Sequence, residues 1–139
     1  MNARELVPAT PARVMVVDDE ECIRHTLFEL LSAEGIGTVT ADGAVECLRL
    51  MRAGFRGVIL MDVMMPGKNG WDTIREIQTC GLLEGNIISM LTAMDFPDER
   101  MEGLQEIVVD YITKPFDPAV LISAVRKYLG YLDQVRGGN

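Results

Sequence analysis

Short runs of β-branched and other apolar residues alternate along the chain with longer stretches in which apolar positions recur every three or four residues. Val14-Met15-Val16-Val17 is the first run, and it breaks off in Asp18-Asp19-Glu20-Glu21. Ile23, Leu27, Leu30 and Leu31 follow at i, i+4, i+7 and i+8, the spacing of one buried helix face, and Gly35 stops that helix. Gly37 to Ala41 reads as a second strand. Asp42-Gly43 is a turn, and Ala44, Cys47, Leu48 and Met51 mark a second amphipathic helix ended by Gly54. Val58-Ile59-Leu60-Met61 is a third strand, ending at Asp62. The turn chemistry of Pro66-Gly67-Lys68-Asn69-Gly70 leads into a third helix marked by Trp71, Ile74 and Ile77.

Asn86 to Leu91 predicts a fourth strand, ending at Thr92. Pro97, Asp98 and Glu99 suit the first turn of a weakly amphipathic fourth helix reaching about Glu106. Val108 to Thr113 predicts a fifth strand, ending at Lys114-Pro115. Leu121, Val125, Leu129 and Leu132 trace a fifth helix, with Asp117 as its cap and Pro118 as its first residue. Leu132 and Val135 extend it by a turn or two before Gly137-Gly138. The order is therefore (βα)5. Strands that are apolar almost throughout need cover on both faces, which predicts an α/β fold with a parallel sheet between two helical layers and right-handed crossovers.

Composition adds bounds to this picture. The 139 residues are the size of one domain, and 48% are apolar, enough for a core without disulfides or a structural metal. A net charge of −8 argues against direct nucleic-acid binding, which needs clustered Lys and Arg, and against an anionic membrane surface. Cys22, Cys47 and Cys80 are odd in number and unpaired in spacing, so neither a disulfide framework nor a zinc site is expected; they read as small buried or half-buried apolar residues. Met1 to Arg13 has no apolar core of a secretory signal, and no apolar run approaches a membrane span. A cytoplasmic chain is expected.

In open parallel sheets, ligands sit outside the carboxyl ends of the strands. Here those ends carry Asp18-Asp19, Asp62, Thr92 and Lys114, drawn from four segments. Each has an ordinary reading by itself: a helix cap, a loop acid, a turn residue, a solvated lysine. Together at one edge they describe a chemistry. Three carboxylates repel one another unless a cation joins them. Oxygen ligands without His or Cys suit a hard ion such as Mg2+, which keeps water positions open for a phosphoryl oxygen. Lys114 supplies a mobile charge for another phosphoryl oxygen, and Thr92 a hydroxyl donor. Asp62, alone at the end of the central strand, is the expected nucleophile; Asp18 and Asp19, side by side, are better placed to share the metal.

These residues resemble the motifs of response-regulator receiver domains. Val16-Val17-Asp18-Asp19-Glu20 resembles the family's acidic pair. Ile59-Leu60-Met61-Asp62-Val63-Met64-Met65-Pro66, with Gly70 eight residues beyond Asp62, resembles its phosphoacceptor strand. Leu91-Thr92-Ala93 and Asp110-Tyr111-Ile112-Thr113-Lys114-Pro115-Phe116 match its other two blocks, with 30 residues from Asp62 to Thr92 and 22 from Thr92 to Lys114. The resemblance spans about residues 12 to 130.

It implies a flavodoxin-like three-layer sandwich with strand order 2-1-3-4-5. It also implies a receiver domain over 13–132, between a flexible segment 1–12 and a tail 133–139. Asp62 would accept a phosphoryl group from a histidine kinase or a histidine phosphotransfer protein. Asp19, Asp62 and the backbone carbonyl of Met64 would hold Mg2+, with Asp18 acting directly or through water. Lys114 would pair with the phosphoryl group across a cis Lys114-Pro115 bond. Thr92 would move toward the phosphate and Tyr111 would swing inward behind it. That shift would remodel the face of the fourth helix, fifth strand and fifth helix, where a downstream effector or a second copy docks as a homodimer. Only self-phosphorylation and self-dephosphorylation would count as activity.

Some positions depart from the family pattern. Glu106-Ile107-Val108-Val109 stands where Gly-Ala is common, so the fourth helix is expected to end differently. Lys68 replaces a common apolar residue. Met64 and Met94, two residues beyond Asp62 and Thr92, stand where polar residues are frequent, and slow loss of the phosphoryl group is expected. Met64 also disfavours the main enzymatic alternative, an Asp-x-Asp phosphatase or phosphotransferase, whose general acid lies two residues past the nucleophile. A third reading, a receiver-like module that binds partners without phosphate, is disfavoured by the intact acidic, hydroxyl and lysine set. His25, the only histidine, lies off the apolar face of the first helix and reads as a surface residue. Trp71 reads as packing that could partly cover the site. After the fifth helix no room remains for an output domain, so the chain reads as either a single-domain regulator or the receiver part of a longer one.

Overall fold

A computed structural model describes residues 11–65, 67, 69–92 and 108–137. Five parallel strands, β1 (Val14–Val17), β2 (Thr38–Ala41), β3 (Val58–Asp62), β4 (Ile87–Thr92) and β5 (Val108–Thr113), form one sheet in the order β2-β1-β3-β4-β5. The described helices are α1 (Glu21–Ala33), α2 (Ala44–Arg52), α3 (Gly70–Thr79) and α4 (Pro118–Gly137). The helix expected between Pro97 and Glu106 lies outside the described residues.

Every residue of β1 and β3 is buried, which the unbroken apolar runs demanded. Successive side chains feed opposite cores. Met15, Val17, Ile59, Met61, Ile88 and Met90 meet Cys47, Leu48 and Met51 of α2 and Trp71, Ile74 and Ile77 of α3. Val14, Val16, Val58, Leu60, Ile87 and Leu91 meet Leu27 and Leu31 of α1 and Leu121, Val125, Leu129 and Leu132 of α4. Three layers result, with β3 in the centre of the sheet.

The helix signals act as read. Asp117 Oδ1 accepts the Ala119 amide at 2.8 Å, and Pro118 is the first residue of α4. Asn69 caps α3 by accepting the Asp72 amide at 2.9 Å. Beyond α1, Gly35 takes a φ of 77°, a left-handed conformation that favours glycine. α4 runs past Leu132 to Gly137, into the segment set aside as a tail, where Asp133 pairs with Arg13 ahead of β1.

Some expectations need correction. Phe28 is buried on α1, whereas Ile23 and Leu30 are only half-buried, because the sheet contacts a face centred on Leu27 and Leu31. Of the cysteines only Cys47 is buried, and burial pushes its thiol up to about 12. Cys22 and Cys80 are exposed, one on the solvent side of α1, the other just after the last turn of α3. His25 is exposed, 3.8 Å from Glu29 one turn on.

At β5 the pairing with β4 is irregular. Val108 pairs with Ile88 and Asp110 with Ser89, leaving Val109 as an extra residue at a bulge. The insertion changes the pleat phase. Val108 joins the core under α3, while Asp110 receives the Tyr128 hydroxyl of α4 at 2.5 Å on the other side. Without the bulge, two residues so spaced would face the same way.

Candidate functional site

β1 and β3 are neighbours in register, Val17 beside Met61, so the residues that follow them emerge together at the carboxyl edge. One carboxylate oxygen from each of Asp18, Asp19 and Asp62 lies within 4.8 Å of the others. Asp18 is fully buried and Asp62 is 4% exposed, whereas Asp19 faces solvent. β5 returns Lys114 to the same edge. Its ammonium donates to Asp18 Oδ2 at 2.9 Å and lies 3.4 Å from Asp62 Oδ1. The Lys114–Pro115 peptide is cis.

The main chain also takes part. Asp18 Oδ1 accepts the Glu20 amide at 2.9 Å, and Asp62 Oδ1 accepts the Met64 amide at 3.1 Å. Each bond folds a strand exit back over its own carboxylate. Arg24, on the first turn of α1, donates to the Asp18 carbonyl at 2.8 Å and so fixes the β1–α1 corner. The sequence reading missed Arg24; the signal was a base one turn into the helix that follows an acidic strand end.

The electrostatics follow from this crowding. Burial, and then the charge of Asp18, push the Asp62 carboxyl up to about 6, against the opposing pull of Lys114 and the Met64 amide. For Lys114, burial works to lower the ammonium, but the hydrogen bond and charge of Asp18, followed by the charge of Asp62, outweigh it. Lys114 is held above the usual lysine range. One cation is thus shared between two buried carboxylates, with a third at the rim. The donor set is all oxygen, and it fits a hard divalent ion.

Thr92 ends β4, one strand from β3, and Asp62 pairs with its neighbour Leu91. The Thr92 side chain and Met94 lie outside the described residues. Met64 is 58% exposed beside Asp62. Tyr111 stands on β5 with its ring 6.3 Å from that of Trp71, tilted by 53°. Trp71 is 1% exposed and packs in the core.

An open parallel sheet with buried acids and a lysine at its carboxyl edge defines a class of phosphoryl- or metal-handling α/β domains. Comparison with known proteins narrows the class. The model of the response regulator receiver domain family matches residues 14–126. The chain is 34% identical over 119 residues to the response regulator MprA of a Mycobacterium species, covering 86% of this chain and 51% of that protein. It is 33% identical over 124 residues to the protein PetR of Rhodobacter capsulatus, covering 89% and 51%.

Among solved structures, a CheY-like response regulator receiver domain protein from Methanospirillum hungatei superimposes with a TM-score of 0.84 at 46% identity, covering 88% of this chain and 98% of that one. The response regulator TrrA of Thermotoga maritima, in a complex described as containing Mg2+ and BeF, superimposes with a TM-score of 0.72 at 31% identity, covering 85% and 99%. The chain belongs to the response regulator receiver domain family, the receiving module of two-component signalling. It spans about half the length of the curated relatives it matches. No helix among the described residues is long and apolar enough to cross a membrane.

Proposed function

We propose that Asp62 is the phosphoacceptor of this receiver domain, taking its phosphoryl group from the phosphohistidine of a histidine kinase or phosphotransfer protein. The observation that carries this reading is the convergence of Asp18, Asp19 and Asp62 within 4.8 Å, with the Lys114 ammonium spanning Asp18 and Asp62. An Asp62 carboxylate oxygen attacks phosphorus, the donor's P–N bond breaks, and the imidazole leaves with the electron pair. The product is an acyl phosphate. Lys114 is close enough to leave Asp62 for a phosphoryl oxygen while keeping Asp18, and Thr92 supplies a hydrogen bond to another. Asp18, Asp19, Asp62 and the Met64 carbonyl would hold Mg2+, which supplies charge neutralisation for the incoming phosphoryl oxygens.

The added charge and acceptors bias a two-state element, here Thr92 and Tyr111. The surface around Tyr111, β5 and α4 then meets an effector or a second copy of the chain in the cytoplasm. The domain is a switch and turns over no small substrate.

Titration with beryllofluoride tests the reading. Binding is expected only with Mg2+ present, together with labelling of Asp62 by a small phosphodonor. Absence of both would favour a module that binds partners without phosphate, and sustained turnover of a phosphate ester would favour an enzyme.

The exposed Met64 thioether side chain offers no hydrogen bond strong enough to orient a water against the acyl phosphate. Loss of phosphate is therefore expected to be slow, and Met64→Asn should speed it about tenfold. The decay of radiolabelled phosphoprotein after removal of the donor measures this, and a slower decay in the variant would contradict it.

A further inference from the structure

We infer that Tyr128 of α4 is a positioning residue for Lys114, acting through Asp110 and the bulge of β5. The inference rests on the reading of Lys114 as the charge that meets the phosphoryl group.

Alternation along a strand decides which face a residue serves. Val14 and Val16 of β1, and Val58 and Leu60 of β3, enter the core under α1 and α4. Asp18 and Asp62, two residues further on, therefore stand on that same side, and Lys114 must arrive there too. On β5, however, Val108 enters the opposite core, under α2 and α3. Strict alternation from Val108 would carry residues 110, 112 and 114 to the wrong side. The extra residue reverses this. Ser89 pairs with Asp110 instead of Val109, Ile112 enters the core under α4, and Lys114 lies 2.9 Å from Asp18 Oδ2 and 3.4 Å from Asp62 Oδ1. The bulge also draws Lys114 back by one strand residue, roughly 3.3 Å.

Burial of Val109 does not hold the bulge, because its side chain is 52% exposed. Polar contacts of the next residue do. Ser89, fully buried on β4, donates to the Asp110 carbonyl at 3.4 Å. Asp110 Oδ1 accepts the Tyr111 amide at 2.8 Å, and Oδ2 accepts the Tyr128 hydroxyl at 2.5 Å. Tyr128 is buried on a helix packed to the sheet through Leu121, Val125, Leu129 and Leu132. Burial, and then the bond to Asp110, hold the phenol above the usual tyrosine range, so it stays a donor at neutral pH. A carboxylate turned toward a core costs free energy unless it is hydrogen-bonded. Tyr128 meets that need only when Asp110, and not Val109, faces α4. The bond thus selects the phase that delivers Lys114 to the acids.

Tyr128→Phe keeps the ring and removes the bond, so it is expected to fold. Asp110→Ala removes the same bond from the other end, at a half-buried position. Each is combined with Lys114→Ala and unfolded with urea in metal-free buffer. Lys114→Ala should lower the folding constant at least about threefold less in either background than in the parent, because the lysine is no longer held against Asp18. In parallel, Mg2+-dependent beryllofluoride affinity is followed by 19F NMR, and Tyr128→Phe should weaken it at least about fivefold.

A residue that only fills space would alter stability and leave its effect and that of Lys114→Ala multiplicative. That outcome, or unchanged beryllofluoride affinity in folded Tyr128→Phe, overturns the inference and leaves the phosphoacceptor reading standing. If the unmodified chain binds no beryllofluoride, the phosphoacceptor reading fails, and the unfolding cycle alone decides whether Tyr128 places Lys114.

Discussion

Asp62→Asn is expected to abolish phosphoryl uptake and, in metal-free buffer, to make the protein more stable at neutral pH. The first effect follows from losing the proposed nucleophile. The second follows from linkage. The folded carboxyl sits at about 6 because it is buried beside Asp18, well above the ordinary aspartate value of 3.8. The folded state therefore holds this proton more tightly than the unfolded state. Stability is fully present below the unfolded value, falls as pH rises from about 4 to about 6, and is level above that.

The penalty at pH 7.5 is on the order of 2 kcal/mol, since water at the open rim screens part of the shift. Asparagine carries no such charge. The variant should match the parent near pH 4 and exceed it by that amount at pH 7.5, as read from urea unfolding at both values. Added Mg2+ should close the gap by stabilising the parent alone. A gap independent of pH would show that burial and Asp18 do not burden Asp62.

Gly70→Ala should cost about 2–3 kcal/mol through overpacking and weaken beryllofluoride binding by at least about tenfold. The new methyl would lie 2.5 Å from the Asp62 carbonyl oxygen, 2.8 Å from Met90 Cε and 3.1 Å from Val63 Cα. Met90 is the end of a flexible side chain and can yield. The other two atoms are backbone of the β3 exit, so relief there displaces the Asp62 carboxylate, the proposed phosphoacceptor. Equilibrium unfolding measures the first effect and 19F NMR the second. Normal affinity in a destabilised variant would mean that α3 moves and the Asp62 corner stays.

The strands were legible because a parallel sheet covered on both faces must be written in uninterrupted apolar runs, as in Val14–Val17 and Val58–Met61. The site was legible because such a sheet collects whatever follows its strands, and Asp18, Asp19, Asp62 and Lys114 all follow strands. Cys22 and Cys80 show the limit of composition. A residue type that favours burial is buried only where its helix turns it inward, and period alone left the inward face of α1 uncertain by one position, at Phe28. Arg24 escaped notice because its partner is a main-chain carbonyl, which no side-chain motif encodes.

The order of elements, the two covered faces and the acids at the carboxyl edge were determined by the sequence, since burial and chain direction leave a pattern that local reading can decode. Three things were decided only in three dimensions. Lys114 shares its charge between Asp18 and Asp62, because distances across 96 positions of chain depend on strand register. The extra residue at Val109 reverses the pleat, so Asp110 meets Tyr128 while Val108 enters the opposite core. Trp71 is buried with its ring 6.3 Å from that of Tyr111, carried there by a helix whose first residue stands hard against Asp62. Each is a contact between segments far apart in the chain, whose geometry is set by packing and leaves no local periodicity to read.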